Sequence, residues 1–212
     1  MSNGSLNQQA TAEPRASDFA LSSPITGPDI RCTSAIIENG AGEILTFVRR
    51  VPGARGDRLE GENVVKPGAG PPMHVHYYQE EVFTVQQGRL GYQRPGEVEQ
   101  FAGPGDTIVF KAGEPHRFWN AGDGDLRCTG YVEPADNVEY LLTSLFASAK
   151  RNGGARPDLF DAAFLMRRYR TEFAMLEIPA LVQHVLFPVL VAVGALLGKY
   201  RKYADAPEPV RR

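Results

Sequence analysis

Three of the four histidines of this 212-residue chain, His74, His76 and His116, fall in one stretch that also contains Glu81. Residues two apart on a β-strand point to the same face, so His74 and His76 can bind the same ion. Imidazole with a single carboxylate suits Fe, Mn, Co, Ni, Cu and Zn. A closed structural zinc site would more often use thiolates. The four side chains are therefore predicted to bind one divalent transition metal.

Glu81 follows His76 by five residues, and this odd offset would place it on the wrong face of a straight strand. A turn near Gln79-Glu80 is therefore predicted, which carries Glu81 onto the neighbouring strand with its side chain facing the same interior. His116 lies several turns further along the chain. Only closure of the sheet could bring it to the other three residues.

Turn residues recur every few positions between residues 35 and 132, as in Pro95-Gly96 and Gly103-Pro104-Gly105-Asp106. Short runs between turns, spaced by about 8–12 residues, favour a sandwich or barrel. No helical periodicity interrupts this block, which argues against βαβ units. We expect a barrel domain over residues 29–135. The predicted strands are Glu43–Val51, Arg58–Val65, Met73–Tyr78, Glu81–Val85, Leu90–Arg94, Glu97–Phe101, Thr107–Lys111, Arg117–Asn120 and Leu126–Val132.

Residues 136–212 are predicted to form a helical C-terminal extension. Apolar residues recur at helical spacing in Asn137–Lys150 and again in Asp158–Ala174. Residues 178–198 contain no Asp, Glu, Lys or Arg, and about 20 apolar residues can cross a bilayer. Pro179 and Pro188 interrupt the segment, so short helices packed on the barrel or on a second subunit are the alternative. A homodimer and membrane contact through 178–198 are both left open.

The spacing of the candidate ligands resembles the two motifs of the cupin superfamily, in its "cupin 2 conserved barrel" type. Gly68-x5-His74-x-His76-x4-Glu81-x6-Gly88 is similar to the first motif. Gly105-x5-Lys111-x-Gly113-x2-His116-x3-Asn120 is similar to the second. The resemblance implies a mainly β fold, the double-stranded β-helix or jelly-roll barrel, here with C-terminal α-helices.

One position of these motifs can be filled by either of two residues, and another departs from the usual pattern. Glu80 and Glu81 both satisfy the spacing after the second histidine, and the six residues between Glu81 and Gly88 favour Glu81. The second motif usually has proline where this chain has Lys111. Because this position is not a metal ligand, the departure affects the expected loop geometry and not the ligand set.

Strand parity extends the predicted site beyond the metal. If the ligands face inward, then Phe83, Val85, Phe118 and Asn120 do so too, and they are predicted to line a pocket for a small, largely apolar substrate. Packing of Phe83, Val85 and Phe118 as ordinary barrel core is an equal alternative. Tyr78 and Glu81 are the candidate catalytic acid/base groups, and Tyr78 could equally pack at the barrel mouth.

Cupins include several reaction classes, so the fold does not decide the function. The complete ligand set and the apolar lining favour a metal-dependent oxygenase of the dioxygenase type, with Fe(II) as first choice and Mn, Ni, Co, Cu or Zn as alternatives. A redox-neutral isomerase or lyase is a second hypothesis. A non-enzymatic binding or sensor protein is the third.

Composition sets the remaining bounds. With 42% hydrophobic residues, the chain can bury one proper core. The 23 basic and 25 acidic residues leave a net charge of -2, which gives no reason to expect a nucleic-acid partner. Cys32 and Cys128 are interpreted as free thiols in a reducing, cytoplasmic compartment, with a single bridge as the alternative. Residues 1–28 are predicted to be a disordered or extended leader.

Overall fold

The computed structural model describes residues 31–154 and 156–212, with side chains from Ala35 onward. The predicted leader, residues 1–28, lies outside the described residues. The strands in this part of the chain are β1 (Arg31–Glu38), β2 (Glu43–Gly53), β3 (Gly56–Val65), β4 (His74–His76), β5 (Glu80–Gln87), β6 (Leu90–Gln93), β7 (Gln100–Ala102), β8 (Thr107–Phe110), β9 (Arg117–Asn120), β10 (Leu126–Glu133) and β11 (Phe173–Met175). The α-helices are α1 (Val138–Arg151), α2 (Leu159–Arg168) and α3 (Phe187–Leu196).

The strands form antiparallel sheets that enclose one apolar interior. A six-stranded sheet has the order β1-β2-β3-β10-β5-β8 and faces a three-stranded sheet, β7-β6-β9, and the pair β11-β4. A β-bridge between His74 and His116 joins β4 to the start of β9. The prediction of a mainly β barrel with C-terminal helices is confirmed. The buried core cluster consists of Val65, Phe83, Val85, Leu90, Ala102, Ile108, Phe110, Phe118, Leu126 and Cys128.

Each of the nine predicted strands has a counterpart, but two strands were missed. β1 precedes the block of turns on which the prediction rested, and it pairs with β2 at the edge of the large sheet. The helical spacing of apolar residues over 158–174 predicts a helix there, so a strand at β11 is not expected. The structure ends α2 at Arg168 and pairs β11 with β4. That pairing supplies backbone partners for an edge of β4, and local periodicity cannot reveal such a need.

The apolar segment 178–198 folds as a π-helical turn, Val182–Leu186, followed by α3, and α3 packs against α2. Pro188 stands in the first turn of α3, where a missing N–H costs nothing. Within the described residues, no helix is long and apolar enough to cross a membrane. Much of the segment faces outward, and Leu196 is 89% exposed.

Cys128 is a buried free thiol within the barrel core. The side chain of Cys32 lies outside the described residues, so the alternative of a bridge between the two remains untested. Burial raises the pKa of Cys128 to about 12, which keeps this thiol protonated at neutral pH.

We predict that Gly91→Ala destabilises the barrel. Gly91 on β6 pairs with Trp119 on β9, and a methyl group at Gly91 would overlap the indole ring of Trp119. Overpacking of this kind costs about 1–3 kcal/mol. Trp119 is the only tryptophan, so its fluorescence reports urea unfolding directly. Gly124→Ala is the matched control, because a methyl group there meets open space. Equal stability of the two variants would contradict the prediction.

Candidate metal centre

The four predicted ligands come from three strands that meet at one end of the barrel. His74 and His76 flank Val75 on β4, Glu81 lies near the start of β5, and His116 directly precedes β9. His74 and His116 exchange two backbone hydrogen bonds, each of 2.9 Å from N to O. The closure that the sequence required is therefore made by the backbones of two of the ligands themselves.

The side chains converge on one oxygen atom. Glu81 Oε2 lies 2.9 Å from His116 Nε2, 3.8 Å from His76 Nε2 and 3.9 Å from His74 Nε2. The four ligand atoms all lie within 4.8 Å of one another. The three histidines are buried, and the Glu81 side chain is 14% exposed.

The chain turns between His76 and Glu81, as the odd spacing required. β4 ends at His76, and β5 begins at Glu80. Backbone hydrogen bonds with other segments fix this connection. The Tyr77 N–H donates to the backbone carbonyl of Glu172 at 2.8 Å, and the Gly113 N–H donates to the His76 carbonyl at 2.7 Å. The turn carries Glu81 onto β5, which belongs to the large sheet and not to the sheet of β4, and its side chain meets the histidines there.

Backbone carbonyls orient two of the imidazoles. His74 Nδ1 lies 2.9 Å from the Pro72 carbonyl, and His116 Nδ1 lies 2.9 Å from the Glu114 carbonyl. A carbonyl can only accept, so these contacts place the proton on Nδ1 and leave the Nε2 lone pair for an ion. His76 Nδ1 is buried without a hydrogen-bond partner among the described residues.

Aromatic rings pack against the imidazoles and restrict their orientation. Phe110 stacks on His116 with centroids 3.9 Å apart and an interplanar angle of 2°. Phe173 contacts both strand histidines, at 5.5 Å from His74 and 5.2 Å from His76. Sequence reasoning missed Phe173 because β11 was assigned to a helix. The ring belongs to the wall of the site although it lies almost 100 residues away along the chain.

The electrostatics favour an ionised carboxylate at Glu81 and a neutral imidazole at His76. Burial lowers the pKa of His76 to about 3, so this ring is uncharged at neutral pH. Burial alone would raise the pKa of Glu81. The hydrogen bond with His116 Nε2 and the closeness of the His74 and His76 imidazoles outweigh burial and hold the pKa of that carboxyl well below its usual range. These are the protonation states that metal ligation requires.

The donor atoms fit a divalent transition metal. With bonds of about 2.1 Å, ligand atoms around a six-coordinate ion stand about 3–4 Å apart, close to the separations around Glu81 Oε2. Three imidazole nitrogens and one carboxylate suit Fe, Mn, Co, Ni, Cu or Zn and do not select among them. The cluster is therefore a site that could hold one such ion through His74, His76, Glu81 and His116.

Tyr78 does not lie where strand parity had placed it. Its hydroxyl donates to the Arg212 carbonyl at 3.2 Å and accepts from the Arg212 N–H at 3.3 Å. The parity argument extended β4 to Tyr78, but the strand ends at His76 and the turn redirects the side chain. In this structure the hydroxyl binds the C-terminal residue, and a catalytic role for Tyr78 stays a prediction.

The predicted pocket residues belong mainly to the packed interior. Val85 and Phe118 lie in the barrel core, and Phe118 packs on Phe83 with ring centroids 4.6 Å apart. Asn120 donates to the carbonyls of Val65 and Gly124, both at 2.7 Å, and accepts from a backbone N–H at 2.8 Å. With its hydrogen-bonding groups used internally, Asn120 braces a loop. Phe83 also lines the cavity beside Glu81, and Phe118 lines a different, more open one with Arg117 and Trp119.

A cavity of about 50 Å³ lies between the large sheet and α1, and Glu81 forms part of its wall. Its accessible wall is mainly apolar, and the polar residues in its lining are Glu62, Asn63, Glu81 and Tyr131. The sequence does not reveal this cavity, because the cavity depends on how α1 packs over the large sheet. The lining includes Leu45, Phe47, Leu59, Asn63, Glu81, Val82, Phe83, Val132, Val138 and Leu142.

A second buried carboxyl group, Glu43, lies in the same interior. It accepts a hydrogen bond of 2.9 Å from the side-chain amide of Asn63. Burial raises the pKa of Glu43 to about 7, the amide hydrogen bond opposes that rise, and the negative charge of Glu81 adds to it. The barrel thus contains two buried carboxyl groups whose pKa values are shifted in opposite directions.

Comparison with known proteins identifies the domain. Residues 61–131, which contain all four candidate ligands, match the family model described as "Cupin domain". "Oxidoreductase iacF" of Pestalotiopsis fici is 35% identical over 86 residues, 39% of this chain and 42% of that protein. "Probable oxidoreductase virH" of Hypocrea virens is 30% identical over 107 residues, 48% of this chain and 49% of that protein. The chain thus spans less than half of the length of either relative.

Among solved structures, KdgF from a Halomonas species aligns at 19% identity with a TM-score of 0.42. The alignment covers 49% of this chain and 92% of that one.

We predict that His76→Ala abolishes stoichiometric metal binding. Loss of an outer-shell partner already costs about 10–100-fold in affinity, so loss of a ligand should cost at least as much. Metal content after dialysis against limiting Zn(II) or Co(II) measures the effect. His184→Ala is the control, because His184 is exposed, lies outside the cluster and has its Nδ1 hydrogen-bonded to the Ala180 carbonyl. Retention of a full equivalent of metal by His76→Ala would contradict the assignment.

We predict that Glu43→Gln stabilises the metal-free protein at alkaline pH. The folded-state pKa of Glu43 lies above its unfolded value, so this group's contribution is fully present below about pH 4.5 and is lost as pH rises to about 7. The glutamine keeps an acceptor for Asn63 and cannot ionise. At pH 8.5 the variant should be more stable by about 3 kcal/mol, and below pH 4.5 the two should converge.

Urea unfolding followed by Trp119 fluorescence across this pH range measures the difference. Glu97→Gln, at an exposed carboxylate, controls for the loss of one surface charge. Parallel pH profiles for the parent and Glu43→Gln would show that Glu43 does not titrate as described.

Proposed function

We propose that this chain, which contains a cupin domain, is a metal-dependent oxidoreductase of the dioxygenase type that acts on a small, largely apolar organic substrate. The observation that carries the proposal is the convergence of three imidazole nitrogens on the carboxylate of Glu81 beside an apolar cavity. The relatives named as oxidoreductases match over part of the chain, which supports the reaction class.

The three histidines would hold the ion, with Fe(II) as first choice. When bound, such an ion can coordinate substrate oxygen atoms and react with dioxygen. Backbone carbonyls and aromatic rings hold the imidazoles in position, so little reorganisation accompanies binding. Three protein nitrogens and one carboxylate leave up to two positions of a six-coordinate ion for exogenous molecules.

Glu81 has two roles in this proposal because it belongs both to the metal cluster and to the cavity wall. Its Oε2 faces the histidines, and its low pKa keeps it ionised, as ligation of a metal requires. The Tyr78 hydroxyl is engaged by Arg212 in this structure, so Glu81 is the first candidate for proton transfer.

The cavity walls favour an apolar body in the substrate. Phe47, Leu59 and Phe83 contribute large apolar surfaces from β2, β3 and β5. Val138 and Leu142 of α1 complete the wall.

We predict dioxygen uptake by Fe(II)-reconstituted protein with members of a panel of small hydroxylated and carboxylated compounds. Glu81→Gln should lower the rate by about 10²–10⁴-fold if the carboxylate moves a proton. An oxygen electrode with product analysis measures both, and Gly124→Ala serves as a control outside the site.

Other outcomes would point to the other hypotheses. Turnover that persists without dioxygen and with Zn(II) would indicate a redox-neutral isomerase or lyase. Tight binding of a compound without turnover by any metal form would indicate a binding or sensor protein. The absence of uptake with Fe, Mn, Co, Ni and Cu would overturn the dioxygenase proposal.

A further inference from the structure

One face of α3 presents apolar side chains to solvent. Val189, Val193 and Leu196 are spaced by four and three residues, so they share a face of the helix, and they are 55%, 41% and 89% exposed. Phe187 and Gly194 lie on the opposite face and are buried. The exposed apolar residues continue beyond both ends of the helix with Leu181, Val185, Leu186 and Leu197. These exposed residues form the α3 surface, and an apolar surface of this extent marks a contact site.

The two polar side chains of the uncharged segment 178–198 form hydrogen bonds within that segment. Gln183 Nε2 donates to the Ile178 carbonyl at 2.7 Å, and His184 Nδ1 lies 2.8 Å from the Ala180 carbonyl. Burial of a polar group is costly mainly when it loses hydrogen bonds to water without replacement. The α3 surface can therefore enter an apolar phase with little loss of such hydrogen bonds.

Positive charge is concentrated in the part of the chain that contains the α3 surface. Residues 167–212 contain eight basic and four acidic side chains, whereas residues 1–166 contain 15 basic and 21 acidic ones. Each of the four acidic side chains accepts a hydrogen bond within the protein, and they are Glu172, Glu177, Asp205 and Glu208. Three basic side chains form ion pairs, and they are Arg168, Lys202 and Arg212. The other five are exposed and form no ion pair among the described residues, and they are Arg167, Arg170, Lys199, Arg201 and Arg211.

Several of these five basic side chains lie beside α3 in space. Arg167 and Arg211 line a surface cavity of about 260 Å³ together with Val191 of α3. Arg201 lines a second surface cavity together with Leu196. An exposed apolar helix flanked by basic groups without acidic partners is complementary to a bilayer with anionic headgroups.

We propose that the α3 surface docks on a lipid bilayer that carries anionic headgroups. The exposed apolar side chains enter the boundary between headgroups and acyl chains, and the five basic side chains without ion pairs contact the headgroups. α3 has ten residues, about 15 Å of helix, so it binds one leaflet and does not cross the bilayer. A second copy of this chain is a less suitable occupant, because a twofold interface would bring two positively charged regions together.

Co-sedimentation of the full chain with sucrose-loaded vesicles tests the proposal. One set of vesicles is phosphatidylcholine alone, and the other contains about 30% phosphatidylserine. We expect binding to the anionic vesicles to be at least about tenfold tighter, because each basic residue near an anionic surface contributes about fivefold in affinity. High salt should reduce this difference, because it screens exposed charges.

Leu196→Ser should weaken binding to the anionic vesicles about tenfold, because a leucine side chain no longer leaves water. Ile36→Ser is the matched control at another exposed aliphatic residue. Ala35 and Ile37 pack against the apolar cluster that includes Leu142 of α1, so the alternation along β1 places Ile36 on the opposite face of the large sheet. Ile36→Ser should bind like the parent. Urea unfolding followed by Trp119 fluorescence verifies that both variants are folded.

Arg167→Gln should weaken binding to the anionic vesicles about fivefold and leave binding to phosphatidylcholine alone unchanged. Arg89→Gln removes the same charge from an exposed position in the turn between β5 and β6, and it should change the affinity less than about twofold. Equal losses in the two variants would indicate attraction by net charge alone and would overturn docking through the α3 surface.

Three further results would overturn the proposal. They are a parent protein that binds neither kind of vesicle, one that binds both kinds equally, and a loss of binding in Ile36→Ser as large as that in Leu196→Ser. A dimer in sedimentation velocity without lipid that Leu196→Ser dissociates would show that a second copy covers the α3 surface, which also overturns it. These measurements need no bound metal, so they can fail while dioxygen uptake by the Fe(II) form succeeds, or the reverse.

Discussion

The reciprocal backbone hydrogen bonds between His74 and His116 are the constraint on which the site depends. They join β4 to β9, close the barrel at one end, and bring together ligands that are far apart in the chain. On the opposite edge of β4, β11 supplies the remaining backbone partners and brings Phe173 against the imidazoles. The C-terminal extension is therefore part of the wall of the site and not an appendage to it.

Burial acts on two carboxyl groups of the same interior with opposite results. Glu81 is surrounded by imidazoles whose hydrogen bonds favour its ionised form, so its pKa falls despite burial. Glu43 has the side-chain amides of Asn63 and Asn39 as partners, which do not outweigh burial, and its pKa rises. The partners of each carboxyl group decide the outcome, because desolvation disfavours the charged form in both cases.

The barrel interior is divided into a packed part and an open part. On one side of Glu81, Phe83 packs against Phe110 and Phe118. On the other side, the large sheet curves away and α1 covers the gap, which leaves the cavity that reaches Asn63. Close packing supports the rigid ligands, and the open side provides the access that catalysis requires.

The spacing of His74, His76, Glu81 and His116 was sufficient to predict the convergence of these side chains and the turn after His76, because strand parity and turn residues are local properties of the chain. The end of β4, the strand at Phe173 and the side of Glu81 on which the cavity lies were not predictable in this way. They depend on which edges find backbone partners and on where α1 packs. Those contacts join residues far apart in sequence, so only the tertiary structure decides them.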